Sequence, residues 1–94
     1  MTPETLRSLS TSPIHLSLLV QALWHDAHGD WEAAHNCAQD GHSELGSLMH
    51  AYLHRKEGGI GNARYWYSTA GRPAFKGTLD DEWQAIAVEA LASR

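Results

Sequence analysis

The sequence predicts an all-α fold: two stacked antiparallel helix hairpins closed by a C-terminal capping helix. Three observations carry this expectation. Apolar residues recur at three- and four-residue spacing in five segments, and no stretch alternates with period two for long enough to form a strand. Glycines and capping residues punctuate those segments where helices have to stop and start. The chain also matches itself when shifted by 29 residues, so that Ala22 falls on Ala51 and Gly29 on Gly58.

The first predicted helix opens at Ser12-Pro13, since serine caps free amides and proline suits the first helical position. It runs to His28, with Gly29 as its stop and Leu16, Leu19, Val20, Leu23 and Ala27 as its stripe. Asp30 caps a second helix from Trp31 to Gln39, whose shared face is Trp31, Ala34 and Ala38, and Gly41 ends it. The short link at Gly29-Asp30 forces these two helices to lie antiparallel. Ser43 opens a third helix that ends before Gly58-Gly59, striped by Leu45, Leu48, Met49, Tyr52 and Leu53. A fourth spans Gly61 to Ala70 with Ala63, Trp66, Tyr67 and Ala70 on one face, stopped by Gly71 and Pro73. After a loop from Gly71 to Gly77, Thr78 caps a fifth helix, with Asp81 where a capping-box acid belongs. Its apolar face is Leu79, Trp83, Ile86, Ala87, Ala90 and Leu91. The first eleven residues admit a short helix around Pro3-Glu4, Leu6 and Leu9, or a flexible segment.

Ninety-four residues suit one domain, 1–94. Trp24, Trp31, Trp66 and Trp83 enlarge a small core, each able to bury roughly 200 Å². The formal charge is −4 and Arg55-Lys56 is the only adjacent cation pair, which argues against nucleic acid as a partner. Cys37 is the only cysteine, so no intrachain disulfide forms and a reducing, cytoplasmic setting is expected. No cationic-then-apolar leader opens the chain, and no apolar run reaches the length of a membrane span.

The internal repeat reads Ala-x-x-His-x-x-x-Gly, then an apolar residue, then alanine: Ala22, His25, Gly29, Trp31 and Ala34 against Ala51, His54, Gly58, Ile60 and Ala63. Small alanines let helices approach closely, and hairpins of this kind bury their faces by stacking. The pattern resembles tetratricopeptide and Sel1-like repeats over Leu18 to Pro73. Ala22 and Ala51 match their small position, Ala34 and Ala63 their second-helix alanine, and His25 and His54 stand where an aromatic usually sits. The run Ala63 to Ala70 is similar to a Sel1-like ending, with Pro73 near the closing proline. That resemblance implies hairpins 13–39 and 44–70 of one geometry, and a role in binding proteins or peptides. The stretches Trp24-His25-Asp26, Gly29-Asp30-Trp31, His50 to Gly58 and Asn62 to Gly71 also resemble a family of short bacterial proteins, which implies a fold and no mechanism.

Seven histidines stand out. His50 and His54, four apart, share a face of the third helix, a spacing that can put two imidazoles on one metal. His25 and His28 lie on the first helix and His35 on the second. No glutamate follows the first histidine as in zinc peptidases, so structural histidines are favoured over ligands. The stripe Ser47, His50, Ala51 and His54 should be partly buried against the fourth helix, with hydrogen-bonded imidazoles; a functional groove is the rival. Arg55 should pair with a neighbouring helix or lie on the rim, and of Tyr65 and Tyr67 one should point inward and one outward.

No nucleophile motif or phosphate loop appears: Gly58-Gly59-Ile60-Gly61 follows a helix, not a strand. The sequence therefore assigns no catalytic residue, cofactor or metal. It favours a helical-repeat interaction module, taking a protein or peptide partner or pairing as a homodimer, with His25, His50, His54, Arg55, Tyr65 and Tyr67 as contact residues. The alternative is a metal- or small-ligand-binding protein built on His25, His50 and His54.

Overall fold

The computed structural model describes residues 1–39 and 43–92, and among them the fold is all-α as expected. Six helices follow in order: α1 (Pro3–Ser8), α2 (Leu18–Ala27), α3 (Trp31–Gln39), α4 (Glu44–Lys56), α5 (Ile60–Ala70) and α6 (Leu79–Ala92). The predicted stop at Gly41 lies outside the described residues. No helix among the described residues is long and apolar enough to cross a membrane.

The turn after α2 and the turn after α4 share one set of hydrogen bonds. Gly29 and Gly58 take φ of +82° and +92°, a region glycine enters at no steric cost. The next amide reaches back five residues in each case: Asp30 N–H donates to the His25 carbonyl at 2.9 Å and Gly59 N–H to the His54 carbonyl at 2.8 Å. The following helix then opens with Ala34 N–H to the Asp30 carbonyl, and Ala63 N–H to the Gly59 carbonyl. Ala22, Ala51, Ala34 and Ala63 are all buried. The 29-residue self-match is therefore a match of backbone geometry at the turns.

Caps fall largely where side-chain chemistry places them. Asp30, Ser43 and Thr78 each accept an amide three residues on, at 3.0 Å. The start of α2 is corrected. The helix does not open at Ser12-Pro13 but at Leu18, where the Ser17 hydroxyl accepts the Val20 amide at 3.3 Å. The proline sits instead in a tight turn, closed by Leu16 N–H to the Pro13 carbonyl at 2.9 Å. The Gln21 side chain holds the Leu16 carbonyl at 2.9 Å, and Ile14 stays 79% exposed, so a helix through this residue would gain no cover for its side chain.

The hairpins α2–α3 and α4–α5 stack so that α4 touches α2, α3, α5 and α6. The last helix, α6, covers the bundle by lying on α2 and α4, with α1 against it. Leu6, Val20, Leu23, Met49, Leu53 and Trp83 form the fully buried centre. Three indoles, Trp83 buried and Trp24 and Trp31 half-buried, donate to carbonyls of other segments: Trp24 to Leu9 at 3.0 Å, Trp31 to Leu53 at 2.8 Å and Trp83 to Leu23 at 3.0 Å.

Two buried carboxylates complete the packing. Asp26 of α2 accepts the Tyr52 hydroxyl at 2.5 Å and the Lys56 ammonium at 2.9 Å. Glu82 of α6 accepts the Arg55 guanidinium at 2.7 Å and the Tyr67 hydroxyl. Burial, and then the carboxylate each one binds, raise both phenols well above their ordinary range.

Candidate metal centre

The polar face of α4 carries His50 and His54 one turn apart, which is a consequence of helical spacing alone. What meets them is set by α3. Trp31, at its first turn, donates its indole N–H to the Leu53 carbonyl and so fixes α3 against α4. His35 lies one turn beyond and stacks on the Trp31 ring, with centroids 4.9 Å apart and planes 12° apart. The stack aims His35 at α4, where its ring centroid lies 5.1 Å from that of His50 and 5.4 Å from that of His54. One nitrogen from each of the three rings lies within 4.8 Å of the others. From α5, Trp66 stacks on His50 at 4.1 Å and 13° and roofs the inner end of the triad.

The hydrogen bonds decide which nitrogens are available. His54 Nδ1 lies 3.0 Å from Glu57 Oε1, a carboxylate oxygen that accepts, so Nδ1 carries a proton. His50 is 3% exposed, and its Nδ1 is buried with no hydrogen-bond partner. A backbone contact from Ala38 also bears on this ring. An orphaned buried acceptor of this kind costs about 1–3 kcal/mol. Of the imidazoles expected to be hydrogen-bonded to neighbours, His54 has Glu57 at Nδ1, whereas Nδ1 of the buried His50 has no partner. The reason is local. Trp66 covers the ring with carbon, and His35 is the polar side chain brought across from α3.

His50 and His35 are electrostatically prepared to stay neutral. Burial, followed by repulsion from His35 and His54, lowers His50 to about 4, with the Ala38 carbonyl pulling weakly the other way. Burial and then His54 lower His35, against a raising influence from Glu57. At neutral pH both rings keep the lone pairs that metal binding needs.

The other singled-out residues lie elsewhere. His25 does not join His50 and His54; it packs edge-on to Trp24, with centroids 5.2 Å apart. The third ring comes from α3, which lies directly on α4 and carries His35 past the Trp31 anchor. His28 stacks on Trp24 and donates from Nε2 to the Arg7 carbonyl at 3.1 Å. Arg55 is drawn to Glu82, and its guanidinium also donates to the Gly77 carbonyl. Tyr67 points inward to Glu82, whereas Tyr65 is 63% exposed. A sequence signal for His35 did exist: Trp31 and His35 are four apart, the spacing of an aromatic stack on a helix face.

Comparison with protein-family models, with curated proteins and with solved structures found no match. The likeness to tetratricopeptide and Sel1-like repeats thus rests on the pattern of alanines, histidines and glycines.

Proposed function

We propose that the protein binds a divalent first-row transition metal, zinc in the first place, through His35, His50 and His54. The observation that carries this reading is the convergence of His35, His50 and His54, one nitrogen of each within 4.8 Å of the others, on a ring whose buried Nδ1, that of His50, has no hydrogen-bond partner. A metal ion satisfies that nitrogen and offsets its desolvation. In a tetrahedral site with bonds of about 2.0–2.1 Å, ligand nitrogens stand roughly 3.3 Å apart, so the rings need to close by only about 1.5 Å. A set of neutral imidazoles suits zinc, copper or nickel and does not suit calcium or magnesium, which seek oxygens. Glu57 on His54 supplies an outer partner of the kind that orients ligating histidines.

Titration of untagged protein with zinc chloride tests the proposal. Calorimetry should give saturable one-to-one binding. Thermal melting should rise by several degrees in excess zinc, because a ligand at about 100 times its Kd stabilises by roughly 2.7 kcal/mol. The His35→Ala variant should lose both effects while keeping its helical circular dichroism. An unchanged melting temperature with no saturable heat rejects the metal and leaves the histidines as structural groups.

The interaction reading is supported by one observation of its own. Ile60 and Tyr65 of α5 are 51% and 63% exposed, and an exposed tyrosine is a frequent anchor at interfaces. Sedimentation equilibrium checks self-association: a concentration-independent monomer mass removes the homodimer.

A further inference from the structure

We infer that the metal keeps one coordination position open to solvent and there holds an exchangeable ligand, water or a small monovalent anion that displaces it. This rests on the tri-histidine reading above.

The first ground is the number of donors. Among the described residues the group that converges contains three side chains and no fourth. Zinc sites whose task is to hold a fold are closed by four protein ligands, whereas sites with three protein ligands take their fourth from solution.

The second ground is the gradient of burial across the triad. His50 lies at the inner end, 3% exposed and covered by Trp66. His35 and His54 are both partly exposed. The three rings thus close the inner side of the metal, and the position they leave faces the side on which His35 and His54 reach water.

The third ground is charge. Three imidazoles bring no negative charge to a doubly charged ion. The carboxylate beside the triad, Glu57, is bonded to His54 Nδ1, which leaves Nε2 of that ring for the metal. Glu57 therefore acts as a positioning residue for His54, and the ion retains charge that an anion can neutralise. The fold, in turn, has its own staples in the indole-to-carbonyl hydrogen bonds of Trp31 and Trp83 and in the two buried carboxylate clusters, so its assembly does not call for a closed metal site.

Cobalt(II) as the probe metal and sodium azide as the probe anion test this on the full chain. Cobalt(II) should bind with visible absorption bands far stronger than those of the hydrated ion. Azide should then shift those bands along a saturable isotherm with isosbestic points. The Glu57→Gln variant should keep the azide response, because its side chain is not the fourth ligand. His35→Ala should give only the weak spectrum of hydrated cobalt while its circular dichroism stays helical. Bound cobalt whose spectrum ignores azide overturns the open position and leaves the metal reading standing. An azide response that appears only in Glu57→Gln overturns it too, by showing that Glu57 fills the position. If the parent protein leaves cobalt as the hydrated ion, the tri-histidine reading fails, and the open position with it.

Discussion

Helix α4 carries two polar faces, and they are completed differently. On one, Tyr52, Arg55 and Lys56 reach buried carboxylates: Asp26 takes Tyr52 and Lys56, and Glu82 takes Arg55 together with Tyr67 of α5. On the other, His50 and His54 meet His35, and the buried Nδ1 of His50 has no hydrogen-bond partner. Both faces are partly buried and both gather side chains from several helices. The carboxylate face is satisfied within the protein, as architecture has to be. The histidine face lacks one interaction, of the kind a metal ion supplies. A buried polar cluster thus points to a ligand through what it leaves unpaired, not through its polarity.

The comparison breaks most sharply at Glu82. Glu82→Ala leaves Arg55 and the Tyr67 hydroxyl without their buried acceptor, and should cost about 3–5 kcal/mol in urea unfolding. A loss below 1 kcal/mol would place the carboxylate face among dispensable surface pairs. The next effect is the pH response of the metal-free protein, which comes from the other face. His50 titrates at about 4 in the folded chain against an ordinary 6.5. Above pH 6.5 neither state holds the proton, and stability is complete. Between 6.5 and about 4 the unfolded chain takes up a proton that the folded one refuses, so stability falls with falling pH. Guanidinium melts across that window should show the decline, and His50→Leu should flatten it; a parent protein as stable at pH 4.5 as at pH 7 contradicts the burial of this ring.

Smaller effects probe the repeated frame beneath both faces. Ala34→Leu and Ala63→Leu should each overpack a buried helix contact at a cost of about 1–3 kcal/mol, and similarly to one another, because the two positions follow matching turns. If both melt like the parent, the alanines do not set the helix spacing. Trp31→Phe should cost least, about 1 kcal/mol for the indole hydrogen bond to Leu53. Its value lies in a second readout, since it frees α3 and should weaken zinc binding by far more than it lowers stability. Equal zinc affinity in Trp31→Phe would mean that His35 is held in place without this anchor.

The helices were legible because periodicity and caps are local properties. Five of the six are readable from their stripes, and the turns after α2 and α4 pair through Gly29 and Gly58 in the sequence alone. The start of α2 was not legible, since Ser12-Pro13 and Ser17 are both competent starts. Choosing between them takes the Gln21 side chain on the Leu16 carbonyl and the lack of any cover for Ile14. The pairing of His50 with His54 followed from their spacing, and so did the division of Tyr65 from Tyr67.

By itself, then, the sequence determined what each helix shows to its surroundings: which side chains share a face, where the backbone needs glycine, and that α4 presents histidines opposite its leucines. Only the tertiary structure decided what those faces meet. His35 rather than His25 completes the triad, and Asp26 and Glu82 are core acceptors rather than surface charges. The physical reason is range. A stripe is set by the 3.6-residue turn of a single helix, but the third histidine arrives through the crossing of α3 over α4. That crossing is held by an indole bonded to a carbonyl 22 residues away in the chain, and helical periodicity does not encode it.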